Sequence, residues 1–197
     1  IEQLDETAKG FGLGEPTGIE LVEKIGWRSN PESKKANYTG VNAQYNAGDR
    51  ILSAIGQAEN RFTPMQLCVY ACTLANQGKR YQATFMDRVV SADYRSLLDE
   101  NSPQLVSTME INDESYNTYL EGMKLVCRSG TAAGTFANYP IEVAAKTGTA
   151  ETDQKGASDN AAFVCFAPAD DPQIAIAIYG EKAGHGSSLA VIAKEIL

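Results

Sequence analysis

Histidine is almost absent from this chain, with one in 197 residues, and there are only four cysteines and a single tryptophan. The cysteines, Cys68, Cys72, Cys127 and Cys165, form no Cys-x-x-Cys pair, and His185 is remote from all of them. A zinc site is therefore not expected, and neither is any other metal or cofactor. Cys68 and Cys72 stand one helical turn apart and read as small hydrophobes facing a core, not as disulfide partners. Basic residues are also short: 17 Lys and Arg against 25 Asp and Glu leave a net charge of -8. With no basic cluster to follow a phosphate backbone, nucleic acid is excluded as a partner. No apolar run approaches the length that crosses a bilayer.

What is present suits a folded domain. Hydrophobic residues make up 43% and charged residues 21%, and the length allows one domain with a proper core. Thr63-Pro64-Met65-Gln66 predicts a helix start, with Thr63 as N-cap, Pro64 in the first position and Gln66 closing a capping box. That helix carries Cys68, Cys72 and Ala75 on one face and stops at Gly78. Ala83 to Val90 reads as a strand, and Ser91 to Met109 as loop. Asp113 caps a second helix with Tyr116, Leu120, Met123 and Cys127 on one side and Gly130 at its end. Three strand-like runs follow: Ile141 to Ala150, Ala161 to Ala167 (ended by Pro168), and Gln173 to Tyr179, after an Asp170-Asp171-Pro172 turn. Ser187 to Leu197 closes the chain as a short amphipathic helix. Consecutive strands with short links predict an antiparallel sheet with helices packed on it, an α+β architecture.

The stretch "AAKTGTAE", Ala144 to Glu151, holds the densest chemistry. A phosphate loop needs glycines ahead of its lysine; here Ala145 precedes Lys146, after a strand-like Tyr139 to Val143. The aspartyl-phosphate motif of ion-pumping ATPases needs a carboxylate nucleophile where Ala145 stands. The Lys-Thr-Gly element of the penicillin-binding serine enzymes matches, but it accompanies a Ser-x-x-Lys and a Ser-x-Asn motif. A half-buried strand with a lysine at its edge is the plain alternative.

Four further segments decide between them. "FGLGEPTGIEL" (Phe11 to Leu21), "AIGQAENRFTPMQLCVYACTLANQGK" (Ala54 to Lys79), "GMKLVCRSGTA" (Gly122 to Ala132) and "AAFVCFAP" (Ala161 to Pro168) accompany "VAAKTGTAE" in a fixed order. Together they resemble the C-terminal part of the transpeptidase domain of a penicillin-binding protein, of the monofunctional class B type. The likeness spans residues 1–197. It departs from the family pattern at Ala145, Ala162 and Cys165, and where "GIEL" runs into Val22-Glu23-Lys24.

The resemblance implies the β-lactamase/transpeptidase-like fold and a role in peptidoglycan cross-linking. It makes Lys146 and Thr149 catalytic. Lys146 supplies positive charge near nucleophile and substrate, and the Thr149 N–H forms half of an oxyanion hole. Thr147, Gly148 and Thr149 bind substrate, the threonines through hydroxyls offered to its carboxylate and Gly148 by leaving room for the acyl group. The implied partners are a D-alanyl-D-alanine stem peptide and the β-lactams that mimic it. No cofactor is implied.

An acyl-enzyme needs an activated serine, and no serine of the chain has a lysine three residues on. Ser115-Tyr116-Asn117 and Ser158-Asp159-Asn160 spell Ser-x-Asn but read as a helix start and a loop. The nucleophile and its loop partner are therefore expected upstream of Ile1. The expected whole is a longer protein, anchored to the membrane by its N-terminal part and working on the extracytoplasmic face of the bacterial cytoplasmic membrane. This chain alone is expected to be inactive. The competing expectation is a non-catalytic scaffold that kept the fold and lost the serine. His185, in "GHGSS", reads as a loop residue.

Overall fold

A computed structural model describes residues 1–152 and 156–197. The N-terminal part is a set of short helices: α1 (Glu2–Gly10), α2 (Pro31–Asn37) and α3 (Ala47–Ala54). Their starts are capped by local chemistry. Asn30 accepts from Ser33 N at α2, and Asn46 and Asp49 form a reciprocal capping box at α3. Asp49 also pairs with the buried Lys34, which joins α2 to α3.

The expected capping box of the next helix, α4 (Pro64–Ala75), is present. Thr63 Oγ1 accepts from Gln66 N at 3.2 Å, and Gln66 Oε1 accepts from Thr63 N at 3.1 Å. Gln66 is fully buried, and its Nε2 donates to Glu15 O at 2.9 Å, which ties α4 to the glycine-rich turn after α1. The buried side of α4 is Val69, Ala71, Thr73 and Leu74, not the cysteine face. Cys68 is half-buried and Cys72 is exposed, so the expected core role of that pair is corrected. A helix face is set by what packs on it, and here the apolar face lies one step round from the cysteines.

Residues 79–108 form two small ribbons. β1 (Lys79–Tyr81) pairs with β4 (Leu105–Thr108), and β2 (Arg88–Val90) pairs with β3 (Leu97–Glu100), both antiparallel. The expected strand over 83–90 is thus confined to its last three residues, and the expected loop over 91–109 contains two strands. Helix α5 (Asp113–Arg128) is capped by Asn112, not Asp113: Asn112 Oδ1 accepts from Ser115 N at 2.8 Å. A one-turn helix, α6 (Ala133–Phe136), follows.

The central sheet has the order β5-β6-β7, formed by β5 (Ala144–Ala150), β6 (Asn160–Ala167) and β7 (Ile174–Gly180), all antiparallel. This is the pairing the three strand-like runs predict, although residues 139–143 lie outside the strand. Apolar clusters cover both faces. Ala145, Phe163 and Cys165 point to one, with Phe136 of α6 stacked on Phe163 at 6.3 Å and the C-terminal helix α7 (Ala190–Ile196) closing over it. Ala144 and Phe166 point to the other, against Leu74 of α4 and Leu120 and Met123 of α5. Burial pushes the Cys127 thiol up to about 11 and that of Cys165 to about 12, so both remain protonated and apolar. The buried Lys124 of α5 meets Asp170 at 2.5 Å, Glu121 at 3.2 Å and Glu142 at 3.3 Å. The bond to Asp170 foremost holds its ammonium well above the ordinary range, so α5 is clamped to the end of the sheet where β5 begins and β6 ends.

Candidate functional site

Among the described residues β5 is an edge strand, bonded to β6 on one side only. Its outer backbone groups are therefore available to something other than the sheet. Side chains alternate between faces. Lys146 and Gly148 stand opposite Val164 and Ala162, while Thr147 and Thr149 stand opposite Phe163 and Ala161. The four motif residues thus divide two and two, yet all border a single open cavity of about 340 Å³. Its far walls are Leu67 and Tyr70 of α4, Phe62, Tyr179 of β7 and the Ile55-Gly56-Gln57 turn. All of these wall residues but Tyr179 belong to the Ala54–Lys79 segment and carried no expected role, because nothing local in that segment shows that it folds back over β5.

Each motif residue has a definite setting. Lys146 is exposed, and its Nζ folds back to Thr147 O at 2.6 Å. Among the described residues no carboxylate pairs with it, so its charge is open to a ligand. Gly148 is informative through what surrounds it. A Cβ added there would meet only Ala162, at 3.5 Å from its Cβ, an ordinary contact. The fold itself therefore does not require glycine at this point, and the space left free belongs to the cavity.

The threonine hydroxyls have partners behind the strand. Thr147 Oγ1 lies 2.9 Å from Thr131 Oγ1, in the "SGTA" loop after α5. Thr149 Oγ1 accepts from Gly186 N at 3.4 Å. Gly186 presses so closely on the sheet that a Cβ there would lie 2.4 Å from Gly148 O and 2.5 Å from Ala162 O. Nothing in the sequence marks Thr131 or Gly186 for a role at the site beyond their small size within glycine-rich loops.

The other candidates lie elsewhere. Ser115 N serves the start of α5, and Ser158 occupies the loop before β6; neither borders the cavity. Asn160 does border it, and its Oδ1 accepts from Lys182 N at 3.0 Å. His185 stands at the start of a 3₁₀ turn over Gly186–Leu189, where its carbonyl accepts from Ser188 Oγ at 2.7 Å.

Comparison with known proteins agrees with this arrangement. The family model for the penicillin binding protein transpeptidase domain matches residues 1–197. The peptidoglycan D,D-transpeptidase MrdA of Acinetobacter baumannii is 31% identical over 211 residues, covering 100% of this chain and 30% of the relative. The crystal structure of Pseudomonas aeruginosa PBP2 in complex with WCK 5153 superposes with a TM-score of 0.81 at 26% identity, over 100% of this chain and 41% of that one. The complex between PBP2 and MreC from Helicobacter pylori gives a TM-score of 0.74 at 28% identity, over 98% of this chain and 34% of that one. The chain thus spans about a third of the length of such relatives, which are class B proteins as the resemblance implied. Five ordered motifs, an antiparallel sheet with its Lys-Thr-Gly strand at the edge and a match over every residue lead to one assignment: the chain belongs to the penicillin binding protein transpeptidase domain family.

Proposed function

We propose that residues 1–197 are the C-terminal portion of the transpeptidase domain of a serine-type peptidoglycan D,D-transpeptidase. The observation that carries this reading is the glycine at 148. The chain's own packing would accept a side chain there, yet the position is empty beside two hydroxyls and a lysine that pairs with no carboxylate among the described residues. Such a place suits an acyl group laid along the strand.

In this reading a serine from outside these residues attacks the carbonyl of the penultimate D-alanine. An acyl-enzyme forms, the terminal D-alanine leaves as its amine, and the acyl group passes to the amine of a second stem peptide. Lys146 lowers the energy of the negative charge that develops, and it attracts the substrate carboxylate. Thr147 and Thr149 donate to that carboxylate. The Thr149 N–H, on an edge strand, serves as one donor of the oxyanion hole. β-Lactams are captured by the same groups. The location that follows is the extracytoplasmic face of the bacterial cytoplasmic membrane, with the anchor in another part of the protein. The Helicobacter relative is solved with MreC, and by that likeness a protein partner joins the stem peptide and β-lactams among the expected ligands, one the sequence analysis had not included.

The test is Lys146→Ala in the full-length protein. Acylation by penicillin should slow by about a hundredfold or more, the scale for one electrostatic group of an acyl-transfer site. The melting temperature should hold, because an exposed lysine contributes at most about 1 kcal/mol. Unchanged acylation would leave Lys146 a solvated strand residue and favour the non-catalytic scaffold.

A further inference from the structure

We propose that Thr131 is a positioning residue that sets the hydroxyl of Thr147 for the substrate carboxylate, an inference that rests on the transpeptidase reading above.

The Thr131 loop is pinned on both sides. Before it, Gly130 N donates to Leu125 O at 2.8 Å; after it, Ala132 N donates to Val126 O at 2.9 Å. Ala132 is itself buried in the core, and Gly130 is packed so close to the end of α5 that a Cβ would stand 2.9 Å from Val126 Cα. The threonine between them is exposed, with its Oγ1 2.9 Å from Thr147 Oγ1. Among the described residues neither hydroxyl makes another hydrogen bond. A side chain held by its backbone at two points and directed at one partner acts as a support for that partner.

Proton counting gives the support a direction. Each hydroxyl has one proton and two acceptor lone pairs. Only one proton can lie between the two oxygens, whereas a carboxylate can only accept. When a carboxylate binds, the Thr147 proton must point to it, and Thr131 must then donate to Thr147. The chain runs from Thr131 O–H to Thr147 O–H to the carboxylate, and each link polarises the next. Thr149 has the same logic with a different donor: Gly186 N–H donates to a lone pair of its Oγ1 and leaves its proton free. Two loops, one after α5 and one before α7, thus leave both threonines of β5 free to donate outward.

The experiment uses the full-length protein with Thr131→Val, Thr131→Ser, Thr147→Val and the double valine variant. Acylation by a penicillin and by its methyl ester is followed, with the dissociation constant separated from the acylation rate constant. Thr131→Val should weaken binding of the free acid about three- to tenfold, the range of one net hydrogen bond, and leave the ester unchanged. Thr131→Ser should restore it, and the double variant should be no weaker than Thr147→Val alone. Equal losses for acid and ester, or additive losses in the double variant, would overturn the inference. Thr131→Ala supplies the same comparison should the valine disturb the loop. An unsubstituted protein acylated by neither compound would instead overturn the transpeptidase reading, and this one with it.

Discussion

Gly186 is in closer contact with β5 than a side chain at that position would allow. Its backbone lies against Gly148 and Ala162, and its N–H reaches Thr149. An alanine there must displace backbone atoms that currently stand 2.4 to 2.7 Å from the added carbon. Gly186→Ala should therefore destabilise by about 1–3 kcal/mol, the usual cost of overpacking, and should slow acylation by moving β5. Gly122, in the middle of α5, is the control. A Cβ there meets nothing within 4 Å, so Gly122→Ala should gain about 0.5–1 kcal/mol of helix propensity. Thermal unfolding of both variants checks the pair, and a neutral Gly186→Ala would show that the loop yields more easily than its contacts imply. Neither outcome is visible in the sequence, where both residues are simply glycines.

At the scale of elements, legibility follows the range of the interactions that build each one. α4 was readable because Thr63, Pro64 and Gln66 close their own box within four residues. The three sheet strands were readable from composition and turn residues. The ribbons over 79–108 were not, because their strands are three or four residues long and almost wholly exposed, so they carry no burial pattern. The residues between β1 and β2 are shaped by a group more than sixty positions away. The Glu20 carboxylate accepts from Phe85 N at 3.0 Å, from Met86 N at 3.4 Å and from Thr84 Oγ1. These bonds, that to Phe85 first, bring its pKa from 4.5 down to about 2. A depressed carboxylate contributes above its ordinary value, and the contribution fades as pH falls through the folded one. Glu20→Gln should therefore speed amide exchange at Phe85 and Met86 near neutral pH, with the difference from the unsubstituted protein vanishing as pH nears about 2. A difference that persists unchanged into acid would mean that the carboxylate charge is not what holds the segment.

At the scale of the whole molecule, the Lys-Thr-Gly strand and α4 enclose one open cavity. Helix α4 and β5 face each other across the cavity, yet neither serine nor cysteine is among its lining residues. No serine in the chain precedes a lysine by three, and none borders the cavity. The Lys146 charge is open, and β5 and β7 each keep an outer edge that is unpaired among the described residues. Under the proposed function, these are the places where the rest of the transpeptidase fits: a serine and its lysine beside Lys146, and further backbone along an edge. The expectation for these 197 residues alone follows from chemistry and does not depend on how stably they fold. Incubated with penicillin, they should gain no covalent mass, because acylation needs a serine whose proton a neighbouring base can take. Ser115 has its backbone at a helix start and Ser158 lies in the loop before β6, both outside the cavity lining. Intact-protein mass spectrometry decides the point. A stoichiometric adduct on one serine would overturn the view that the nucleophile lies elsewhere and would return Ser115 and Ser158 to consideration. A full-length protein that gains the adduct while this chain does not would assign to these residues the part of the site that binds and polarises without attacking.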